Sequence, residues 1–495
     1  MAADGGLLRV ARGGHTSTMP SGSTVHERSV RLPFPADTVF AWHTRPGALE
    51  RLTPPWEHME VLERSGGIED GGQVVAKIGA PFGFRWVARH RDYEPGRQFT
   101  DEQIQGPFSH WVHLHRVEPD GNDASILTDR IEYTPPLGVV GSATAPALIR
   151  PRLDRLLSYR HETLGQDLAA HARFDGRPRL RIGVTGASGL IGRALVPFLT
   201  TGGHFVLRVV RGRRAREGEA SWDWHLGRIE AERLEGLDAV IHLAGENIGA
   251  RWTRDRKRRI RESRGIGTRF LAETIARLSR PPEVLVSASA VGIYGNRGDE
   301  TLTEESGTLA APPDFLTEVG REWEAATEPA RAAGIRVVMP RFGVVLTPAG
   351  GVLGRMLPPF RAGVGGRLGN GRQHMSWIAI DDLVSVIHHL LMTESLSGPV
   401  NATAPHPVTN REFAATLGRV LHRPALLPVP AAALRLAFGE MADVTILSSQ
   451  RALPARLETG GYRFRYPELE PALRHLLGRT KGDMTVPRPD PTFPG

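Results

Sequence analysis

The sequence predicts a doubly wound α/β domain with a parallel sheet, preceded by a smaller α+β domain. After about Leu180, apolar strand segments alternate with helical segments, as parallel strands connected by crossover helices require. Before Phe174, strand segments follow one another across turns rich in Gly, Pro and Asp, which is typical of an antiparallel sheet. A Gly/Pro/Arg segment at 174–179 separates the two patterns, and a chain of 495 residues is long enough for more than one hydrophobic core.

The N-terminal region is predicted to be a meander of strands flanked by helices. A helical pattern begins near Val39, and a second one at 147–171 places leucines at helical spacing. The second helix can therefore cover one face of the sheet. The predicted strands occupy residues 59–64, 73–78, 84–93, 99–105, 110–117 and 125–133.

The net charge of +8 comes almost entirely from arginine, because lysine occurs only at 77, 257 and 481. The densest basic segment, 251–264, has two interpretations: a phosphate-binding patch or the solvated face of a helix. We favour the second interpretation, and we expect no nucleic-acid partner.

The absence of cysteine excludes disulfides, thiolate metal sites and a cysteine nucleophile. No uncharged apolar run reaches about 18 residues, so we expect no membrane association. The segment 1–24 lacks the apolar stretch of a secretory signal, and both it and the proline-rich segment 483–495 are expected to be disordered. These features predict a cytoplasmic protein, and they leave its oligomeric state open.

A glycine-rich loop, Thr185-Gly-Ala-Ser-Gly-Leu-Ile-Gly192, follows the first strand of the C-terminal region. The first glycine permits a tight turn, the second lets a pyrophosphate approach the backbone, and the third lets the next helix pack closely. The free N–H groups at the start of that helix attract phosphates. The loop predicts a dinucleotide site formed by Gly186, Ala187, Ser188, Gly189, Leu190, Ile191 and Gly192.

The second strand of this region decides between the two nicotinamide cofactors. A carboxylate at its end would accept a hydrogen bond from a ribose hydroxyl, but the segment 205–214 has none. Arg211, Arg213 and Arg214 follow instead and can bind a 2′-phosphate, so we predict NADP(H); a merely basic loop is the alternative. After a third strand, Ala244 and Gly245 let the dinucleotide lie against the backbone, and Glu246 either contacts the ligand or caps a helix.

Five motifs together resemble the epimerase-like extended short-chain dehydrogenase/reductases. The resemblance covers about 180–477 and includes a C-terminal piece similar to that family's small module of unknown role. It implies an NADP-binding Rossmann domain at 180–423 and the small module at 424–482. The motifs are Thr185–Gly192, His242–Glu246, Ser287–Gly295, Pro340–Leu346 and Gly369–Leu383.

Extended enzymes of this class use a Ser, together with a Tyr and a Lys four residues apart on a helix, where the lysine lowers the tyrosine pKa. Ser289 matches the serine, but Leu316 and Gly320 fall at the Tyr and Lys positions. None of the six tyrosines is followed four residues later by lysine. Another group must therefore move the proton, and Tyr294, Glu246 and His374 are candidates, although each also has a purely structural interpretation. We predict Ser289 and Tyr294 as catalytic.

Candidate substrate contacts follow the last predicted strand of the sheet. Arg341 lies just after the segment 335–340, and a glycine-rich stretch leads to Asp381, which we expect to cap a helix. Arginines beside an aromatic ring suit an anionic ligand with a planar part, or they could fasten the small module in place. The predicted substrate-binding residues are Arg341, Arg372, His374 and Trp377.

The N-terminal region, 25–174, resembles the START/Bet v 1-like (SRPBCC) helix-grip fold, including polyketide cyclase-like members. The resemblance depends on the order of elements and on the segments Pro33–His43 and Leu52–Trp56, and it implies a hydrophobic ligand. His113 and His115 share one face of a strand while His110 takes the other. Because no carboxylate stands at a fitting spacing, we predict no metal site, and we expect the histidines to line a cavity or face solvent.

Two functions remain open from the sequence. The first is an NADP(H)-dependent oxidoreductase or epimerase of unknown small-molecule substrate, with an atypical acid/base group. The second is a non-catalytic NADPH-binding sensor or scaffold fused to a hydrophobic-ligand-binding module. The missing Tyr/Lys pair favours the second function, whereas Ser289 and the intact glycine loop favour the first.

Overall fold

The computed structural model describes residues 23–79, 83–135, 138–212, 214–308 and 313–480, and only the main chain of 138–146. The expected disordered segments at the two termini lie outside the described residues, apart from Ser23 and Thr24, and Thr24 already begins the first strand. Among the described residues, no helix combines the length and the apolar composition needed to cross a membrane.

The N-terminal domain is a seven-stranded antiparallel sheet in the order β1-β7-β6-β5-β4-β3-β2. Its strands are β1 (Thr24–Leu32), β2 (Met59–Ser65), β3 (Gln73–Ile78), β4 (Phe84–Glu94), β5 (Gln98–Gln105), β6 (His110–Pro119) and β7 (Ser125–Thr134). Its helices are α1 (Ala36–Thr44), α2 (Ala48–Leu52) and α3 (Gly138–Ala172).

This sheet buries alternate residues of each strand against the helices. In β7, Leu127, Asp129 and Ile131 are buried while their neighbours in sequence are more exposed, as the two-residue period of a strand requires. Leu157 and Leu164 of α3 are fully buried, so the long helix covers the sheet as predicted. The predicted helix-grip class of this domain is confirmed.

The second domain contains a nine-stranded sheet and many short elements. Its strands are β8 (Arg181–Thr185), β9 (Phe205–Arg211), β10 (Glu219–Asp223), β11 (Arg228–Ile229), β12 (Ala239–His242), β13 (Val284–Ser287), β14 (Ser289–Ala290), β15 (Thr301–Leu302), β16 (Arg336–Phe342), β17 (Val344–Leu346), β18 (His374–Met375), β19 (Trp377–Ala379), β20 (Gly398–Ala402), β21 (Val408–Thr409) and β22 (Arg451–Ala452). Its helices are α4 (Leu190–Thr201), α5 (Arg254–Ala276), α6 (Phe315–Ala325), α7 (Glu328–Ala332), α8 (Gly351–Arg361), α9 (Ile380–Met392), α10 (Asn410–Leu421), α11 (Ala431–Phe438), α12 (Ala455–Thr459) and α13 (Leu469–Leu476).

The main sheet has the order β11-β10-β9-β8-β12-β13-β16-β14, with β20 also paired to β16, and all pairs except β10 with β11 are parallel. Successive strands are added on one side of β8 up to β10 and on its other side from β12 onward, so the gap between β8 and β12 is the topological switch point where doubly wound domains bind ligands. The predicted fold class is confirmed. The sequence patterns missed β1, β10 and β20, and also the short strands β11, β15, β17, β18, β19, β21 and β22.

A set of buried charges joins the N-terminal domain to the second domain. Arg51 of α2 donates to both carboxylate oxygens of Asp167, at 2.7 and 2.8 Å, and its Nη1 lies 2.9 Å from Asp381 in α9. Arg465 also donates to Asp167, at 2.9 Å, and His475 of α13 lies 3.2 Å from Asp381. We call these residues the interdomain charge cluster: Arg51, Glu162, Asp167, Asp381, Arg465 and His475.

The prediction that Asp381 caps a helix is wrong. The residue before α9 is Ala379, and Asp381 sits in the first turn of the helix with its carboxylate in the charge cluster. Burial alone would lower the pKa of His475, but the carboxylates of Glu162 and Asp381 raise that pKa to about 9. His475 is therefore a buried cation at neutral pH, matched by two carboxylates.

Candidate functional site

The glycine loop connects β8 to α4 at the carboxyl edge of the main sheet. Gly186 has a φ of +69°, and a Cβ there would lie 2.8 Å from the carbonyl carbon of Leu243 in the neighbouring loop. A Cβ on Gly192 would lie 2.4 Å from the oxygen of Gly186, so α4 packs closely on the loop. Gly189 is exposed, and the N-terminus of α4 follows it directly. A pyrophosphate can thus approach the backbone at Gly189.

The remaining loop residues divide between solvent and the core. Ser188 is exposed, and its carbonyl oxygen accepts a 2.8 Å hydrogen bond from Arg193 Nε, which holds the loop against α4. Ala187 and Ile191 pack against the main hydrophobic core, and Leu190 packs beside Gly350. These three side chains anchor the loop, and the exposed part of the site is mostly backbone.

A buried hydrogen-bond chain links the loops after β8 and β12. The hydroxyl oxygen of Thr185 accepts the N–H groups of Leu243 and Ala244, at 3.2 and 3.3 Å, and lies 2.7 Å from His242 Nδ1. Burial lowers the pKa of His242 to about 4, so its ring is neutral. Thr185 therefore donates to Nδ1, and Nε2–H donates to Thr268 at 3.0 Å. These hydrogen bonds fix the loops after β8 and β12 at the topological switch point.

The predicted phosphate-binding arginines lie at the end of β9. Arg211 is exposed and pairs in register with Trp222 of β10, Arg214 is also exposed, and Arg213 lies outside the described residues. The sequence segment 205–214 contains no carboxylate, which is the basis of the NADP(H) prediction.

Glu246 is held beside the site by helix α5. Its carboxylate lies 3.5 Å from Arg259 Nε, and its main-chain oxygen accepts from Arg264 at 3.1 Å. The interpretation of Glu246 as a helix cap is wrong, because Thr253 caps α5 by accepting the N–H of Arg256. A contact between Glu246 and a ligand stays a prediction.

The two predicted catalytic residues belong to one buried network. Ser289 donates to Glu324 at 2.7 Å, and Arg341 donates to both oxygens of the same carboxylate at 2.8 Å. Arg341 also donates to the hydroxyl of Tyr294 at 2.8 Å, and that hydroxyl lies 2.8 Å from Asn401 Oδ1. Burial raises the pKa of Tyr294 despite the nearby arginine. Tyr294 is therefore a protonated phenol that positions Arg341, and Ser289 is hydrogen-bonded to a carboxylate.

Packing residues occupy the two positions on α6 that the sequence analysis matched to a Tyr/Lys pair. A Cβ on Gly320 would lie 2.9 Å from the Cβ of Ile293, and Leu316 lies against Gly292. The helix thus presses directly on the short turn that carries Tyr294, and a lysine at 320 would have no room there.

The predicted substrate-binding residues do not share one open surface. Trp377 is fully buried and donates its indole N–H to the oxygen of His406 at 3.1 Å, while Arg341 is 4% exposed. His374 is partly buried beside Asp299, with Nδ1 3.4 Å from the carboxylate, and Arg372 is exposed. Their roles in substrate binding stay predictions.

Histidines and aspartates converge inside the N-terminal domain. His113 and His115 are buried on the same face of β6, with ring centres 3.9 Å apart, as the strand period predicted. Their ring nitrogens lie 2.9 and 2.6 Å from the same oxygen of Asp129 on β7. His115 also lies 3.3 Å from Asp101 on β5, which in turn lies 2.8 Å from His90 on β4.

The sequence analysis did not associate Asp101 and Asp129 with these histidines, because the two aspartates lie on the neighbouring strands β5 and β7. His161 of α3 adds a third contact to Asp129, at 2.6 Å. Burial opposes ionisation of Asp129, but the surrounding histidines hold its pKa well below the usual range. His110 lies apart from the group, with its ring 3.5 Å from Glu132. We call Asp101, His113, His115 and Asp129 the histidine–aspartate cluster.

The basic segment 251–264 forms the start of α5, and several of its cations contact carboxylates. Lys257 lies 2.8 Å from Glu440, and Arg261 lies 3.2 Å from Glu322. Pairing of this kind matches the favoured interpretation of a solvated helix face.

Sequence reasoning missed Glu324, Thr268 and Arg264. Glu324 lies 35 residues from Ser289, and only the position of α6 beside β14 brings the two together. Arg264 stacks on Trp323 at 4.8 Å and supports the loop after β12. Thr185 and His242 each belong to a motif that the sequence analysis identified, but the contact between their side chains depends on the register of β8 with β12.

Family models match three stretches of the chain. Polyketide cyclase / dehydrase and lipid transport matches residues 32–157, the NAD dependent epimerase/dehydratase family matches 182–401, and Domain of unknown function (DUF1731) matches 429–476. The fold and the site together define an extended short-chain dehydrogenase/reductase fused to a helix-grip domain.

The chain belongs to the epimerase family. An epimerase family protein of Mycobacterium bovis is 43% identical over 299 residues, which are 60% of this chain and 98% of that protein. A Corynebacterium glutamicum structure described as a nucleoside-diphosphate sugar epimerase is 36% identical with a TM-score of 0.75, covering 92% of this chain and 90% of that one. Human epimerase family protein SDR39U1, crystallised with NADPH, is 34% identical with a TM-score of 0.56, covering 60% and 99%.

Proposed function

We propose that the chain is an NADP(H)-dependent oxidoreductase or epimerase of a small molecule. The observation that carries this proposal is the exposed backbone at Gly189, where α4 begins at the same edge of the sheet at which the parallel neighbour β9 ends in the exposed Arg211. The close approaches at Gly186 and Gly192 keep the loop in the shape a pyrophosphate needs, so these residues fit the cofactor. NADP(H), when bound, supplies hydride chemistry; the NADPH bound to the human relative supports this choice.

Ser289 and Glu324 form the proton-exchanging pair in this proposal. Because Ser289 Oγ is 2.7 Å from the carboxylate, a substrate hydroxyl that is oxidised would give its proton to Ser289 while the proton of Ser289 passes to Glu324. Reduction of a carbonyl compound would use the reverse path, in which protonated Glu324 returns its proton to Ser289 and Ser289 protonates the carbonyl oxygen. Arg341 holds Glu324 through two hydrogen bonds and fixes its orientation. Tyr294 has a positioning role, because its hydroxyl accepts from Arg341.

Cofactor preference is tested by titrating the fluorescence of NADPH and NADH with the protein. We expect stronger binding of NADPH, and we expect Arg211→Ala to weaken NADPH about 10- to 100-fold without weakening NADH, since a charge-assisted hydrogen bond contributes about 1.5–3 kcal/mol. Arg208→Ala, an exposed arginine earlier in the same strand, is the matched control. Equal affinities of the wild type for both cofactors would contradict the arginine argument.

Turnover is tested with NADPH and a broad panel of carbonyl compounds. Ser289→Ala and Glu324→Gln should each lower kcat by about 100-fold or more while NADPH still binds. Ser158→Ala, which removes a hydroxyl that donates to the main-chain oxygen of Asp154 within α3, is the control. Activity that survives in both variants would refute the proposed pair.

A second candidate function is a non-catalytic NADPH sensor. It is favoured by the packing of Leu316 and Gly320 at the Tyr/Lys positions and by the engaged hydroxyls of Ser289 and Tyr294. Tight NADPH binding without oxidation by any compound of the panel would support it. In either case we propose that the N-terminal domain binds a hydrophobic ligand, which mass spectrometry of solvent extracts of the purified protein can test.

A further inference from the structure

The histidine–aspartate cluster has the composition and spacing of a metal site. Asp101, His113 and His115 each offer one ligand atom, and these atoms all lie within 4.8 Å of one another. Asp101 stands directly opposite His113 in the pairing of β5 with β6. Two imidazoles and one carboxylate are a ligand set that zinc and similar divalent metals accept.

Asp129 supplies the outer contact that metal-binding histidines need. Such histidines use one ring nitrogen for the metal and donate the other N–H to a carboxylate. His113 Nε2 hydrogen-bonds to Asp129 Oδ1 at 2.9 Å, and His115 Nδ1 lies 2.6 Å from the same oxygen, so this carboxylate contacts both rings. His115 Nε2 hydrogen-bonds to Asp101 Oδ2 at 3.3 Å, and a bound ion would take the place of the hydrogen that these two atoms share.

The spacing around Asp101 also fits a metal. His115 Nε2 is 3.3 Å from Asp101 Oδ2, close to the spacing of about 3.3 Å between two ligands of a tetrahedral zinc ion with bonds of about 2.0 Å. The side chain of Asp101 is 26% exposed, while those of His113 and His115 are 5% and 4% exposed. The carboxylate thus faces solvent and gives an ion a route to the buried histidines.

We propose that Asp101, His113 and His115 bind one divalent transition metal, with Zn²⁺ as the simplest case and Asp129 orienting both histidines. Two carboxylates balance the charge of the ion when the imidazoles are neutral. Three protein ligands leave a fourth position for water or for an oxygen atom of a ligand. The small molecule of the N-terminal domain would accordingly carry a carbonyl or phenolate oxygen. This inference is independent of NADP(H).

A second buried group has ligand atoms equally close together, but its hydrogen bonds occupy the nitrogen lone pairs that a metal would need; it consists of His171, His204 and His388. His204 Nδ1 accepts the main-chain N–H of Leu180 at 3.0 Å, so the hydrogen of the neutral ring is on Nε2. That nitrogen is 3.1 Å from His388 Nε2 and donates to it. Neither atom of this pair has a lone pair to spare for a metal.

The test measures zinc bound to the full chain prepared without a histidine tag. After dialysis with Zn²⁺ and removal of excess ion, elemental analysis should find about one Zn²⁺ per chain. Competition with a chromophoric chelator should show at least about 100-fold weaker binding for His115→Gln and Asp101→Asn, and about 10- to 100-fold weaker binding for Asp129→Asn. His110→Gln, on the opposite face of β6, is the control and should bind as the wild type does.

Cobalt gives a second measurement that does not depend on stoichiometry. Co²⁺ added to the wild type should produce the intense visible absorption of a tetrahedral site, and Asp101→Asn should abolish it. The partly exposed Asp101 side chain keeps this variant informative if His115→Gln does not fold. A wild type that retains no Zn²⁺, or zinc affinity unchanged in both His115→Gln and Asp101→Asn, would overturn the proposal.

Discussion

Two glycine substitutions in the loop after β8 should separate cofactor binding from folding. Gly189 has a φ of −74° and a ψ of 176°, which alanine adopts without strain, and the residue is exposed. A Cβ there would lie 3.1 Å from the oxygen of Gly186, which must give way by a few tenths of an ångström, so Gly189→Ala should change the free energy of unfolding by less than about 1 kcal/mol. The new methyl group would occupy the surface where we place the pyrophosphate. Loss of one or two charge-assisted hydrogen bonds there, at about 1.5–3 kcal/mol each, weakens NADPH binding at least about 10-fold.

Gly192→Ala should behave differently. Its Cβ would lie 2.4 Å from the oxygen of Gly186 and 2.6 Å from the Cα of Ala187, so main-chain atoms of the loop must move. Overpacking of this kind costs about 1–3 kcal/mol of stability, and the displaced loop should also lose NADPH.

The assay for both variants is NADPH fluorescence titration together with urea unfolding. The reasoning is refuted if Gly189→Ala binds NADPH as tightly as the wild type, since the pyrophosphate would then lie elsewhere. It is also refuted if Gly192→Ala unfolds at the same urea concentration as the wild type.

Three further predictions concern stability. His475, with a pKa of about 9 when folded and about 6.5 when unfolded, stabilises the protein fully below about pH 6.5 and loses that contribution, on the order of 3 kcal/mol, as the pH rises through 9. The urea midpoint should fall as the pH rises from about 6.5 to 9, both in the wild type and in a variant of the exposed His406. In His475→Gln the urea midpoint should depend less on pH. Arg51→Met should lower the free energy of unfolding by about 3–5 kcal/mol, because it leaves buried carboxylates without a counter-charge. Arg64→Met removes one partner of an exposed ion pair and should lower it by less than about 1 kcal/mol in the same assay. Gly320→Ala should lower the thermal midpoint by overpacking α6, and an unchanged midpoint would contradict the packing described there.

Features written in consecutive residues could be predicted from the sequence. The glycine loop, the strands of the N-terminal meander and the helix covering them all depend on local periodicity and turn residues. Trp377 shows what the same reasoning leaves out: the prediction of a substrate contact does not use the continuous hydrophobicity of the segment 377–380, which indicates the burial that the structure shows. β10 was missed because it is short and follows an Arg/Gly-rich stretch without a crossover helix.

Features that depend on strand register could not be predicted from one sequence. Asp129 meets His115 because the two stand opposite each other in the pairing of β6 with β7. Ser289 meets Glu324 across 35 residues, through the placement of α6. In both cases the partner is an ordinary acidic residue whose neighbours in sequence give no sign of its role.

The interdomain charge cluster limits how this chain can be divided. A cut in the segment 174–179 follows the sequence pattern, but it would leave Asp381 and His475 on one fragment and Arg51, Glu162 and Asp167 on the other. Each fragment would expose to water charged side chains that are buried and paired in the intact chain. To express the dinucleotide-binding domain alone, the charged residues of the cluster on its surface must be replaced. To graft the N-terminal domain onto another protein, the new partner must supply counter-charges for Arg51, Glu162 and Asp167.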